Sequence, residues 1–179
     1  MTRLLLLRHA KSSWAEPGTA DRDRPLNPRG RRAAQYMAQW ISQAEFPPER
    51  ILCSPSRRTR ETLAALLPHL EQPGDVAILD ELYDPLSDDY CETIAAHGGN
   101  ANCLLLIGHN PTIHTTALRL IGNAEGGDAA QLAAKFPTAA LAVIDFDGSW
   151  QQIAARSGSL VAFVRPRELE ESDTASDDE

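Results

Sequence analysis

Two histidines of this chain follow strongly apolar runs. Residues 4–7 lead through Arg8 into His9, and residues 104–107 lead within two positions into His109. Apolar runs of this kind are typical of buried strands in a parallel sheet. Ligands of such sheets bind beyond the carboxyl ends of the strands, so we expect the two histidines to face one another across a single site.

A third segment adds positive charge. Residues 54–62 follow the apolar run at 51–53 and contain Arg57, Arg58 and Arg60. Guanidinium groups bind phosphate oxygens in a bidentate manner. A neutral imidazole nitrogen can attack phosphorus when a hydrogen bond holds the other ring nitrogen in orientation. The combination therefore indicates chemistry on a phosphoryl group.

The signatures of other phosphate enzymes and of zinc sites are not matched. A cysteine phosphatase requires C-x5-R, but the sixth residue after Cys53 is Thr59. The chain has no G-x-x-x-x-G-K-[ST] and no H-E-x-x-H. Five helical residues would rotate His114 by about 140° from His109, away from a shared face. We expect no metal and no cofactor.

Composition narrows the classes of partner. The chain has 179 residues, with 17 basic and 25 acidic side chains and a formal net charge of -8. This balance argues against nucleic acid or an anionic membrane as the main partner. The three cysteines form no C-x-x-C and are predicted to be free thiols in a reducing compartment. No signal sequence is recognised, so a cytoplasmic location is expected.

The spacing of apolar residues predicts an α/β fold. Apolar runs at about 4–8, 50–53, 76–79, 103–107 and 139–146 predict strands, and periodic stretches between the first four predict helices. Such alternation is typical of a three-layer sandwich with a mostly parallel central sheet and helices on both faces. A turn at 146–149 predicts a hairpin to a strand at 150–154, which would give an antiparallel edge strand.

Four helices are predicted. Asn27 is the expected N-cap of the first, with Pro28 at its first position. A second is predicted at 58–70 and a third at 88–97. The same cap-then-proline signal at 110–111 predicts a further helix that ends near Gly122.

The C-terminal segment differs in composition from the rest of the chain. Residues 168–179 are acidic, rich in serine and nearly free of apolar side chains. Such segments do not bury enough apolar surface to become ordered. We therefore predict one domain at 1–167, followed by a disordered tail.

Four ordered motifs carry a resemblance to a known family. They are Arg8-His9-Ala10-Lys11, Arg24-Pro25-Leu26-Asn27, the segment from Ser54-Pro55 through Arg58 to Thr62, and Gly108-His109-Asn110-Pro111. They resemble motifs of the histidine phosphatase superfamily, in particular its small SixA-type phosphohistidine phosphatases, over residues 3 to 155. The resemblance implies that His9 is the nucleophile that becomes phosphorylated. It also implies that Arg8, Arg58 and His109 complete the phosphate pocket.

The remaining site assignments depend on the same resemblance. It points to Glu81 as the general acid, and the alternative is that Glu81 belongs to a solvated loop. Ser12 and Asn110 are expected to line the phosphate pocket. Ala10 stands where the family commonly has glycine, which makes a positive φ at this position less expected.

The resemblance implies a cofactor-independent phosphatase that acts through a covalent phosphohistidine. Only about two dozen residues separate Asp84 from Gly108, which leaves little room for a large cap over the site. We therefore expect protein phosphohistidine as the substrate. The alternatives are a small phosphomonoester, or a phosphate-binding module without turnover.

Overall fold

A single mixed sheet runs through the molecule. The computed structural model describes residues 1–14, 17–44, 46–71, 74–84, 86–124 and 126–170. Within these ranges the strands have the order β3-β2-β4-β1-β6-β7-β5. Their bounds are β1 (Thr2–Arg8), β2 (Arg50–Cys53), β3 (Asp75–Ile78), β4 (Cys103–Gly108), β5 (Ile121–Asn123), β6 (Leu141–Phe146) and β7 (Gly158–Val164).

Most neighbouring strands of the sheet are parallel. β3, β2, β4 and β1 pair in parallel, as do β5 and β7. β6 is antiparallel to both β1 and β7. The predicted mostly parallel sheet with an antiparallel strand is thus confirmed. The antiparallel strand β6 lies inside the sheet, however, and the short β5 forms the edge nearest to it.

The predicted strand at 150–154 is wrong. Residues Trp150–Gln152 form a 3-10 helix, and the antiparallel partner of β6 is β7. Trp150 is almost completely buried, and its indole nitrogen donates a hydrogen bond to the carbonyl of Ala101 at 2.7 Å. The indole packs closely against Gly98, and the chain returns to pair with β6 in β7, which begins at Gly158.

Helices cover both faces of the sheet, as predicted. Asn27 caps the first helix through a hydrogen bond from the Gly30 amide at 2.7 Å. The helix predicted at 58–70 is an α-helix followed by a 3-10 turn at Leu67–His69. The helix at Gly127–Ala134 was not predicted. The helices are α1 (Pro28–Gln43), α2 (Arg57–Leu66), α3 (Cys91–His97), α4 (Thr112–Leu120) and α5 (Gly127–Ala134).

Alternate side chains of the central strands enter two separate cores. Leu5 and Leu7 of β1 pack in the core beneath α1 and α2. Leu4 and Leu6 pack in the opposite core, beneath α3, α4 and α5. Since both faces of β1 are buried, the strand is continuously apolar rather than alternating. This burial fixes the register of β1 against β4, and hence the positions of the residues that follow both strands.

Ordered structure continues slightly past the predicted domain boundary. Residues 166–170 form a helical turn, and Leu169 packs against the α1–α2 core. The rest of the predicted disordered tail, residues 171–179, lies outside the described residues. None of the described helices is long and apolar enough to cross a membrane.

Candidate active site

The site is built where three parallel strands end side by side. β2, β4 and β1 are neighbours in the sheet, so their carboxyl ends share one edge. The amide of His9 donates to the carbonyl of Gly108 at 3.1 Å, and that of Ser54 donates to Ile107 at 3.1 Å. These bonds continue the strand pairing by one residue and bring the predicted motifs together.

A cavity of about 350 Å³ opens at this edge, and we refer to it as the basic cavity. Six of the site residues named from the sequence line this cavity together. The lining residues are Arg8, His9, Lys11, Ser12, Trp14, Asp21, Arg24, Arg58, His109, Asn110 and Thr138.

His9 is held as a neutral ring with one nitrogen free of protein contacts. Its Nδ1 lies 2.8 Å from the carbonyl of Ala10, which can only accept, so Nδ1 carries the hydrogen. Burial lowers the pKa of His9 to about 3; the Ala10 carbonyl opposes this, while His109 and Arg58 add to it. Nε2 therefore presents a lone pair, which is the form that a nucleophile requires.

His109 lies opposite, with a ring centroid 5.1 Å from that of His9. Its Nε2 is 2.7 Å from the Ser54 hydroxyl, and its Nδ1 is 3.4 Å from Nη2 of Arg58. A guanidinium can only donate, so Nδ1 accepts and Nε2–H donates to Ser54. Burial, followed by the charge of Arg58, lowers the pKa of His109 to about 3.

Arg8 and Arg58 each donate hydrogen bonds to the protein from the outer nitrogens of the guanidinium. Nη1 of Arg8 donates to the carbonyl of Phe136 at 2.8 Å. Nη1 of Arg58 donates to the carbonyl of Asp21 at 2.6 Å, and Nη2 donates to its carboxylate at 3.0 Å. In both arginines Nε is buried and has no partner among the described residues. Both guanidinium groups line the basic cavity, where their charge favours the binding of an oxyanion.

Sequence analysis missed Asp21, which lies at the centre of the site. Its carboxylate accepts from Arg58, from Nε of Arg24 at 3.0 Å and from the Tyr83 hydroxyl at 2.7 Å. Burial alone would raise the pKa of Asp21, but the Tyr83 hydroxyl and the two arginines outweigh burial and lower it. The carboxylate is therefore ionised at neutral pH.

Asn110 and Ser12 are placed as predicted, at the wall of the basic cavity. The Asn110 amide nitrogen donates to the Phe136 carbonyl at 3.0 Å, while its Oδ1 is buried without a partner among the described atoms. Ser12 is 8% exposed and belongs to an isolated bridge to Leu26. This bridge positions Ser12 against the segment that precedes α1.

Glu81, to which the resemblance points as the general acid, does not line the basic cavity. It lies in the 3-10 turn at Asp80–Tyr83, and its Oε1 pairs with Nε2 of His97 at 2.6 Å. Successive side chains of such a turn point in different directions, and here it is Tyr83 whose ring contacts His109. Glu81 lines a neighbouring acidic cavity, together with Asp84, Asp88, Asp89, Glu92 and Arg119.

The other arginines of the 54–62 segment lie at the surface. Arg57 is half exposed and pairs with Glu61 at 2.7 Å, and Arg60 is exposed. Arg58 alone of the three lines the basic cavity. Ala10 does not have a positive φ, in agreement with the expectation from its side chain. Among the described residues, no group of three or more histidine, cysteine or acidic side chains could hold a metal ion.

Comparison with known proteins decides the family. The family model of the histidine phosphatase superfamily (branch 1) matches residues 4–84. The uncharacterized protein ML1117 of Mycobacterium leprae is 38% identical over 90% of this chain and 100% of its own length. The crystal structure of a candidate phosphohistidine phosphatase SixA from Agrobacterium tumefaciens is 36% identical, covers 92% of this chain and 97% of its own, and has a TM-score of 0.78.

The chain belongs to the histidine phosphatase superfamily, and within it to the SixA type. The protein histidine phosphatase SixA complexed with tungstate shares the fold, with a TM-score of 0.72 at 21% identity over 94% of this chain and 99% of its own. The residues matched by the family model include the ends of β1 and β2. Arg8, His9 and Arg58, which line the basic cavity, lie at or just after these strand ends. The predicted resemblance is therefore confirmed.

Proposed function

We propose that this protein is a cofactor-independent phosphatase that acts on protein phosphohistidine through a covalent intermediate on His9. The observation that carries the proposal is the state of the His9 ring. Nδ1 is committed to the Ala10 carbonyl, and Nε2 is left as an unprotonated nitrogen beside two arginines. A phosphate-binding module without turnover would not require a nucleophile in this orientation.

The proposed reaction has two steps. Nε2 of His9 attacks phosphorus, the bond from phosphorus to the leaving group breaks, and the leaving group takes up a proton. A water oxygen then attacks phosphorus, the bond from Nε2 to phosphorus breaks, and phosphate leaves with a neutral His9 behind it. Arg8 and Arg58 donate to the non-bridging oxygens in both steps, which stabilises the charge that develops there. His109 joins them when its Nε2–H exchanges the Ser54 hydroxyl for a phosphoryl oxygen.

The nature of the carboxylates favours phosphohistidine over an alkyl phosphate. Asp21 is the single carboxylate among the described residues that line the basic cavity, and its lowered pKa leaves it without a proton to donate. An alkoxide leaves slowly unless a positioned acid protonates it, and such an acid contributes about 10²–10⁴-fold. An imidazole ring can leave after protonation by solvent, so phosphohistidine needs no dedicated acid.

The experiment compares three substrates: a histidine peptide phosphorylated with phosphoramidate, an aryl phosphate and an alkyl phosphate. We expect the highest kcat/KM on the phosphohistidine peptide and the lowest on the alkyl phosphate. His9→Ala should abolish turnover of all three, whereas His69→Ala, at a partly exposed histidine outside the basic cavity that contacts Gln35, should not change it. Excess EDTA should have no effect on the wild-type protein.

Two results would contradict the proposal. Equal or higher kcat/KM on the alkyl phosphate would favour a small-molecule phosphomonoesterase. Binding of inorganic phosphate without turnover of any substrate would favour the phosphate-binding module.

A further inference from the structure

The buried guanidinium of Arg58 depends on one residue from a distant part of the chain. Arg58 is on the first turn of α2, and its side chain is 6% exposed. Two of its nitrogens donate to Asp21, one to the carbonyl at 2.6 Å and one to Oδ2 at 3.0 Å. Because the two bonds reach adjacent nitrogens of a planar group, together they fix the plane of the guanidinium.

Asp21 is itself held from two further directions. Nε of Arg24 donates to Oδ1 at 3.0 Å, and the Tyr83 hydroxyl donates to Oδ2 at 2.7 Å. The Arg24 guanidinium also stacks on the Trp14 ring, 3.5 Å from its centroid. The carboxylate therefore has a defined orientation although its side chain is 48% exposed.

We propose that Asp21 is a positioning residue that fixes the guanidinium of Arg58 at the wall of the basic cavity, in the orientation from which it donates to the phosphoryl oxygens. Arg8 offers a matched arrangement, since the Phe136 carbonyl ties its Nη1 and its Nε has no partner among the described atoms. Each arginine is thus held by acceptors of the protein. One of the two acceptors that hold Arg58 is the carboxylate of Asp21, so a mutation of Asp21 can test this contact.

Simple electrostatics predicts the opposite effect of Asp21, and this makes the inference testable. An ionised carboxylate beside an anion site repels phosphate, so its removal should tighten phosphate binding. If Asp21 positions Arg58, its removal should weaken phosphate binding, because Arg58 loses its orientation. The sign of the change separates the two roles.

Asp23 provides a matched control for this comparison. It lies in the same 3-10 turn, Asp21–Asp23, and carries the same charge. It is exposed and takes no part in the contacts that Asp21 makes with Arg58, Arg24 and Tyr83. Asp23→Asn therefore reports the effect of removing one negative charge near the basic cavity.

The first measurement is the affinity for inorganic phosphate by calorimetry, which requires no turnover. We expect Asp21→Asn to weaken phosphate binding about tenfold, and Asp23→Asn to leave it unchanged or tighten it slightly. On an aryl phosphate, kcat/KM of Asp21→Asn should fall by about 10–100-fold, since small misplacements of a positioning group have effects of this size. Tighter phosphate binding in Asp21→Asn would overturn the inference.

A double-mutant cycle tests whether Asp21 acts through Arg58. In an Arg58→Ala background, Asp21→Asn should no longer weaken phosphate binding, because the group that it orients is absent. A further tenfold weakening in that background would assign Asp21 a role independent of Arg58 and contradict the inference. If Asp21→Asn does not fold, Tyr83→Phe decides the question, with a weakening of 2–5-fold expected and no change contradicting it.

The inference rests on the proposed function only for its kinetic part. If the wild-type protein binds phosphate but turns over none of the three substrates, the proposed function fails while the binding cycle still decides the role of Asp21. If the wild type is active and Asp21→Asn behaves like Asp23→Asn, the inference about Asp21 fails and the proposed function stands.

Discussion

The basic and acidic cavities differ in how their charged groups are paired. At the acidic cavity, Glu81 pairs with His97, and Arg119 pairs with Asp89 at 2.6 Å. At the basic cavity, His9 donates from Nδ1 to the Ala10 carbonyl, and the guanidinium of Arg58 is held by Asp21. We therefore expect phosphate binding to depend on how each cation is paired, and not on the presence of cations alone.

The largest effect expected from this comparison is at Arg58. Arg58→Ala should lower kcat/KM on an aryl phosphate by about 10²–10³-fold, because it removes a preorganised donor to the non-bridging oxygens. Its neighbour provides the control, since Arg57 is half exposed and paired with Glu61. Steady-state kinetics of Arg57→Ala should differ from wild type by less than about twofold. Comparable losses in the two variants would show that general positive charge, and not the tied guanidinium, binds the phosphoryl group.

The second prediction concerns stability and pH. Burial lowers the pKa of both His9 and His109 to about 3, whereas an unfolded histidine titrates near 6.5. Between these values the unfolded chain binds protons that the folded protein does not, so stability is present above pH 6.5 and is lost as the pH falls. Each histidine should contribute a loss on the order of 1 kcal/mol per pH unit below 6.5.

Urea unfolding at pH 7, 6 and 5 measures this loss. In His9→Ala the decline should be about half as steep as in the wild type, because one of the two buried rings is gone. A free energy of unfolding that stays constant from pH 7 to pH 5 in the wild type would show that the two rings are not held neutral by burial.

Sequence patterns predicted the catalytic strand ends well because the information is local. An apolar run followed by a histidine defines both a buried strand and the residue at its end, and this holds for His9 and His109. The segment 54–62 was found because it follows β2 directly, and the family resemblance then selected Arg58 from its three arginines. The same reasoning extended to α1, whose cap at Asn27 is a contact between residues three apart.

The missed features depend on contacts between distant residues. Asp21 contacts Arg58, 37 residues away, and Tyr83, 62 residues away, so in the sequence it is only one charge in an alternating Asp-Arg-Asp-Arg stretch. Trp150 continues an apolar pattern that suits a strand, but its partner Ala101 is 49 residues distant. Glu81 was assigned from the family resemblance, and its partner in the structure, His97, is 16 residues away.

The smallest effect is expected at Glu81. Glu81→Gln should change kcat/KM by less than about twofold on alkyl phosphate, aryl phosphate and phosphohistidine peptide, because its carboxylate pairs with His97 outside the basic cavity. Glu92→Gln, at another carboxylate of the acidic cavity, is the control. A selective loss of about 10²–10⁴-fold on the alkyl phosphate would identify Glu81 as the general acid after all.

The most direct test of the account is to identify the residue that carries phosphorus during turnover. The wild-type protein is mixed with the aryl phosphate, quenched within milliseconds in alkali, digested and examined by mass spectrometry. The account predicts a phosphoryl group on His9 that is stable in base and labile in acid, and its loss in His9→Ala. A phosphoryl group on Ser54, Cys53 or Asp21, or turnover that persists in His9→Ala, would contradict it.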